Sequence, residues 1–165
     1  MTGNPVDSLR SGWNKALPEL DVGPMLTVAR LNRAAILVRR QLSRELARHE
    51  SSLADFDVLS TLRRQAPPHS LTPSELSDAL LLSPSGMTNR IDQLERSGLV
   101  ERSLDPDNRR SMPVALTSLG VSKAEELAEV VIETERLFLA GLNSTDIRKL
   151  DELMDSLLEG VEAES

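Results

Sequence analysis

Residues 72–117 read TPSELSDALLLSPSGMTNRIDQLERSGLVERSLDPDNRRSMPVALT, and the punctuation of this stretch decides the fold. Thr72-Pro73-Ser74-Glu75 has the form of a capping box: the Thr72 hydroxyl accepts from the third helical amide, Glu75 reaches back, and Pro73 takes the first helical position, where no amide donor is needed. A helix is therefore expected to start at Thr72, with Leu76, Ala79 and Leu80 at helical spacing. Leu81-Leu82-Ser83-Pro84 then restarts the chain, Ser83 as N-cap and Pro84 as first helical residue, so only a tight turn fits between the two helices. The second helix sets Met87, Ile91 and Leu94 on one face and Ser85, Thr88, Asn89 and Arg90 on the other. It stops at Ser97-Gly98, where Gly98 suits the left-handed position just past a helix end.

After Gly98 the pattern becomes extended. LVER (99–102) and MPVAL (112–116) bracket DPDNRR (105–110), a turn-forming run that makes a hairpin with Arg109 and Arg110 near its tip. Pro113 has no amide donor for a ladder and so belongs on an edge or at a bulge. His69-Ser70-Leu71 is available as a third strand. Two short capped helices followed by a basic-tipped hairpin make a winged helix-turn-helix, a DNA-reading device. The rival reading is a small helical domain with a surface hairpin.

The flanks are long helices. Across residues 24–49, Leu31, Ala34, Ala35, Val38, Leu42 and Leu46 recur at three- and four-residue steps, with Arg33, Arg40 and Arg44 opposite as a solvated face or as phosphate ligands. Residues 53–65 form a further helix, with Leu53, Phe56, Leu59 and Leu62, that ends before Pro67-Pro68. From Leu119 to about Leu142 another apolar helix is expected. Asn143 and Asp146 give a second cap signal ahead of Ile147, Leu150, Leu153, Met154, Leu157 and Leu158. A winged core of this size cannot cover so much apolar helix, so packing against a second copy is the economical solution, with an intramolecular bundle as the alternative. The expected fold class is mainly α (α+β): residues 1–50 an N-terminal extension and first dimerisation helix, 51–117 the winged DNA-binding region, 118–165 the C-terminal dimerisation helices.

A net charge of −7 is unexpected for a DNA binder until its distribution is read. Residues 24–50 carry +4, residues 83–116 are neutral, and residues 117–165 carry −8, so the acid sits in the C-terminal helices. The chain of 165 residues has no cysteine, which excludes disulfides, zinc–thiolate sites and thiol redox sensing. No apolar run approaches the roughly 18 to 20 residues of a membrane span, and MTGNPVDSLR lacks the order of a signal peptide, so a soluble cytoplasmic protein without a membrane partner is expected. Catalysis finds no support. His49 and His69 lie in unrelated contexts, no glycine-rich phosphate loop exists, and Asp55 and Asp57 point to different faces of their helix. No cofactor or metal is expected.

The order long helix, LTPSELSDAL, SPSGMTNRIDQLERSGLVER, DPDNRRS, VALTSLG resembles the MarR family of bacterial transcription regulators over nearly all of the chain from Pro24 onward. The resemblance implies a homodimer built from terminal helices, which presents a recognition helix to a major groove and a wing to a minor groove at each half of a near-palindromic operator. It implies DNA contacts from Ser83, Ser85, Thr88, Asn89 and Arg90, with Arg110 in the minor groove and Arg109 at the backbone. Repression is the family's commonest mode. Asn108 departs from the pattern, standing where the family often has an acidic residue that orients the wing arginine, which leaves Asp105 or Asp107 to substitute. Pro113 also departs, replacing a β-branched residue or leucine and shortening the wing strand. The rival function is a winged-helix protein–protein adaptor without operator binding, whose wing would tolerate loss of charge.

A narrower resemblance, to family members that respond to urate or related purines, rests on Trp13, Asp57, Arg90 and Arg102. It implies a small anionic or aromatic effector such as urate or xanthine, with an organic acid such as citrate as the alternative. In that scheme Trp13 stacks on a flat heterocycle and Arg90 pairs with its charge. Asp57, repelled by the anion, then disturbs an ion pair with Arg102. The residues taken alone leave other roles open: Trp13 as a packing anchor, Asp57 and Arg102 as a structural pair, Arg90 as a phosphate contact.

Overall fold

A computed structural model describes residues 5–103 and 112–162 of the chain. The helices are α1 (Pro5–Ala16), α2 (Gly23–Arg48), α3 (Leu53–Arg63), α4 (Pro73–Leu80), α5 (Pro84–Arg96), α6 (Ser118–Phe138) and α7 (Ser144–Glu162). The strands are β1 (Ser70–Leu71), β2 (Val100–Arg102) and β3 (Val114–Leu116), antiparallel in the order β1-β3-β2. This is the mainly helical winged fold expected from the sequence, third strand included. Pro113 precedes the central strand β3 rather than lying in it. Its carbonyl accepts from the Ser103 amide at 3.0 Å, so the missing donor leaves no gap in the ladder.

The core gathers one stripe from each element of the winged segment: Leu59 and Leu62 from α3, Leu76 from α4, Met87, Ile91 and Leu94 from α5, Val100 and Val114 from the sheet. Leu46 of α2 and Leu127 of α6 close it from the other side. In α4 the inward residues are Leu76, Ser77 and half-buried Leu80, while Ala79 faces solvent. Gly120 sits where α6 leaves the sheet. A β-carbon there would lie 1.9 Å from the Leu99 carbonyl oxygen, so only glycine lets the helix approach so closely. The Thr117 hydroxyl, which caps α6 by accepting from the Gly120 amide, also donates to the Gly98 carbonyl at 2.7 Å.

The terminal helices are less enclosed. Of the predicted α2 stripe, Leu42 and Leu46 are buried, Leu31 and Val38 half-buried, and Ala34 and Ala35 exposed. α1 rests on the start of α2 through a small cluster of Val6, Val22 and Leu26, with Trp13 and Ala29 against it. α7 starts at the expected cap, where Asn143 Oδ1 accepts from the Thr145 and Asp146 amides at 2.9 and 3.0 Å. Beyond that cap it makes at most marginal contact with its own chain. Leu153, Leu157, Leu158 and Val161 stand in solvent.

Candidate nucleic-acid interface

The two helices of the turn are fixed by their caps. The Thr72 hydroxyl accepts from the Glu75 amide at 3.2 Å, and a Glu75 carboxylate oxygen accepts from the Thr72 amide at 2.7 Å. The Thr72 amide, and the Thr72 hydroxyl that also donates to Glu75 Oε2 at 2.8 Å, hold the Glu75 carboxyl below its ordinary value, against the opposing effect of burial. α4 ends on Leu81, whose φ of 52° turns the chain left-handed and throws its side chain into solvent at 93% exposure. Ser83 then caps α5 by accepting from the Gly86 amide at 3.2 Å.

With Met87, Ile91 and Leu94 buried beneath it, α5 exposes Ser83, Ser85, Thr88 and Asn89. The Thr88 hydroxyl donates to the Pro84 carbonyl at 3.0 Å, which leaves its lone pairs free to accept. Arg109 and Arg110 lie outside the described residues, as do Asp105, Asp107 and Asn108.

Arg90 departs from the face on which the sequence placed it. Its side chain is half-buried and turned toward α3. Nη1 donates to Asp55 Oδ1 at 2.8 Å, to Gln93 Oε1 at 3.2 Å and more distantly to Ser52 Oγ at 3.4 Å. Asp55 is itself part of a capping box: its Oδ2 accepts from the Ser52 amide at 2.8 Å and the Ser52 hydroxyl at 2.6 Å, and the Asp55 amide donates back to Ser52 Oγ. The Ser-x-x-Asp spacing at 52–55, ahead of an apolar run, is the sequence signal for this box.

The expected Asp57–Arg102 ion pair is not made. Arg102 straddles two carboxylates one turn apart on α5, donating to Asp92 Oδ1 and Glu95 Oε2 at 2.5 Å each, and so ties β2 to the C-terminal half of that helix. The hydrogen bond to Asp92, with the charge of both carboxylates, raises the affinity of the guanidinium for its proton over the cost of burial. Asp57 faces Arg39 and Arg64 instead. Partial burial pushes its carboxyl up, and the two arginines draw it back. Trp13 packs on Val22 and Leu26 and lines a shallow apolar groove with Leu9, Gly12 and Ala16 on α1. Of the four residues expected to meet one ligand, Arg90 and Arg102 thus brace α5 from different neighbours, while Asp57 and Trp13 have other surroundings.

A model of the MarR family matches residues 52–112 of this chain. The HTH-type transcriptional regulator PecS of Dickeya dadantii (strain 3937) is 32% identical over 149 residues, covering 90% of each chain. Among solved structures, the reduced form of MarR from E. coli superposes with a TM-score of 0.70 at 27% identity, over 79% of this chain and 94% of its own. A mutant E. coli MarR complexed with operator DNA superposes with a TM-score of 0.69 at 24% identity, over 88% of this chain and 97% of its own. The relatives matched by sequence are regulators rather than enzymes. No described helix is long and apolar enough to cross a membrane.

Proposed function

The chain belongs to the MarR family of transcriptional regulators, and from that premise we propose that it is a homodimeric, sequence-specific DNA-binding repressor whose operator binding is relieved by a small anionic or aromatic effector. The observation that carries the DNA reading is the exposed polar edge of α5. Ser83, Ser85, Thr88 and Asn89 stand together on a helix whose opposite face is sunk in the core. Short hydroxyl and amide side chains meet base edges or phosphate oxygens at little entropic cost. A winged-helix adaptor would differ in having a wing that tolerates loss of charge.

The dimer is supported by α7. A 19-residue amphipathic helix with almost no intramolecular contact and a row of exposed leucines is unstable alone in water, and a second copy supplies the missing surface. The test is selection from genomic fragments at moderate salt. An inverted repeat with half-sites about one helical turn apart is expected, and recovery of no enriched repeat would sink the operator reading. On the selected duplex, Arg110→Ala is expected to lower the salt slope by about one charge.

For the effector, the support is that Arg90, on the reading helix itself, and Arg102, on β2, both tie that helix to its neighbours. Both guanidiniums already hold carboxylates, so an incoming anion competes with Asp55 for the one or with Asp92 and Glu95 for the other. Either competition would loosen α5 from its supports and couple ligand to DNA through the helix's orientation. Titration with urate, xanthine and citrate, read by Trp13 fluorescence and by DNA release, tests this. Release by one of them that is lost in Arg90→Ala supports the effector reading. No response to any of the three removes it and leaves DNA binding standing.

A further inference from the structure

Arg90 is the one cation on the first three turns of α5, and on a DNA-reading helix such a cation is ordinarily taken for a phosphate ligand. Here its charge is already spent on the start of α3. We propose that Asp55 is a positioning residue for DNA recognition: through Arg90 it fixes the rotation of α5, so that the Ser83, Ser85, Thr88 and Asn89 edge faces the groove. The proposal deepens the DNA-binding reading and rests on it.

Three features of the geometry carry it. The first is that Asp55 is preorganised. Its Oδ2 is held by the amide and hydroxyl of Ser52, which leaves Oδ1 aimed at Arg90 Nη1 with little side-chain freedom left to lose. The second is burial. Arg90 and Asp55 keep only 27% and 17% of their side-chain exposure, well below the 69% and 55% of the surface pair Arg136–Glu133, so the pair is less screened by salt than a surface pair. The third is what the part of α5 ahead of the Arg102 bridge lacks. Met87, Ile91 and Leu94 form a stripe that seats the helix on the core, and apolar contact is non-directional. At the middle of the helix the Arg90–Asp55 pair supplies direction, bridging 35 residues of sequence to an element that the core holds independently through Val58, Leu59 and Leu62.

The pair has a consequence that separates it from a phosphate contact. A guanidinium neutralised by Asp55 releases no counterion when DNA binds, so removing it leaves the salt slope unchanged. The experiment measures the affinity of wild type, Asp55→Asn, Arg90→Gln and the double variant for the selected operator and for a scrambled duplex, across salt concentrations. Each single variant is expected to lose about tenfold in the ratio of operator to scrambled affinity. The double variant should lose no more than the worse single, and the slopes of wild type, Arg90→Gln and the double variant should agree. Arg90→Gln leaves the Ser52–Asp55 capping box whole, so it carries the test even if Asp55→Asn weakens α3.

A slope reduced by about one in Arg90→Gln, with Asp55→Asn unaffected or tighter, overturns the proposal and makes Arg90 a phosphate ligand. Amide exchange without DNA gives a reading that does not depend on the operator. Both single variants should speed exchange in α5 relative to α6, and unchanged protection of α5 overturns the positioning role even if operator binding itself is established. Failure of wild type to select any operator sinks the DNA reading instead, a different result on a different measurement.

Discussion

Among the described residues between β1 and β3 nearly every large apolar side chain is covered by the chain itself, with Leu81, Leu82 and Met112 the exceptions. Along α1, the first half of α2 and α7 most of them face outward. The two regions are also fastened differently. The winged segment is closed by side-chain caps at Ser52, Thr72, Ser83 and Thr117 and by two arginine bridges. α7 has its single asparagine cap and little else. The α5 edge proposed to read DNA thus belongs to a part that is complete within one chain, while on the dimer reading the spacing between two such helices belongs to a part that a second copy completes.

The largest effect is expected where that division is broken at α7. Leu153→Asp combined with Leu157→Asp places two charges on the face that the dimer reading buries, where each leucine contributes about 1.5–3 kcal/mol when fully covered. Sedimentation should show the monomer, and operator affinity should fall at least about 100-fold as two linked half-sites become independent. The winged segment should keep its fold. A dimer that persists through both substitutions would place α7 outside the interface.

The two regions also differ in how they treat glycine. Gly120→Ala drives a β-carbon into the Leu99 carbonyl, which is backbone and cannot swing aside, so α6 must lift from the sheet and the Thr117 bonds must stretch. The loss is expected at or beyond the upper end of the about 1–3 kcal/mol typical of overpacking. Gly160→Ala meets nothing within 4 Å and lies in α7, where alanine's helix propensity stabilises by up to about 1 kcal/mol. Thermal unfolding of the two variants should therefore move in opposite directions. A similar loss in both would mean that α7 is packed as tightly as the sheet.

Legibility in the sequence follows the same division by range. The caps at Thr72, Ser83 and Asn143, the Gly98 stop, the core face of α5 and the third strand at Ser70 could all be read because each is set by residues within a few positions of one another. The exposed leucines of α7 were legible as surplus, because a helical stripe exists before its partner is known. The ion pairs were not. Arg90 has the spacing of the outward face, and only the packing of α3 against α5 reveals that Asp55 draws it sideways. Arg102 lay at a spacing that suited Asp57, but a strand that begins two residues past Gly98 brings it first to Asp92 and Glu95. Charged side chains are long enough to choose among several partners, and the choice is made by tertiary geometry.

The smallest effect sharpens the comparison through its dependence on pH and concentration. Thr72→Ala removes a cap from α4 and should cost about 1 kcal/mol. The Glu75 half of that box is electrostatic. Because its carboxyl is held below the ordinary value in the folded chain, the stabilisation it gives is present above that ordinary value and is lost as pH falls through the depressed one. Glu75→Gln keeps an acceptor without the charge, so its deficit against wild type should be full near neutrality and vanish in acid. α4 packs Leu76 into the core of its own chain, so the deficit should be the same at every protein concentration at which the oligomeric state holds. On the dimer reading the deficit caused by substitutions in α7 should instead change with protein concentration, since the surface they spoil is then shared with a second copy. A concentration-dependent deficit in Glu75→Gln would show that α4 also leans on the partner, and that the winged segment is less self-sufficient than its caps imply.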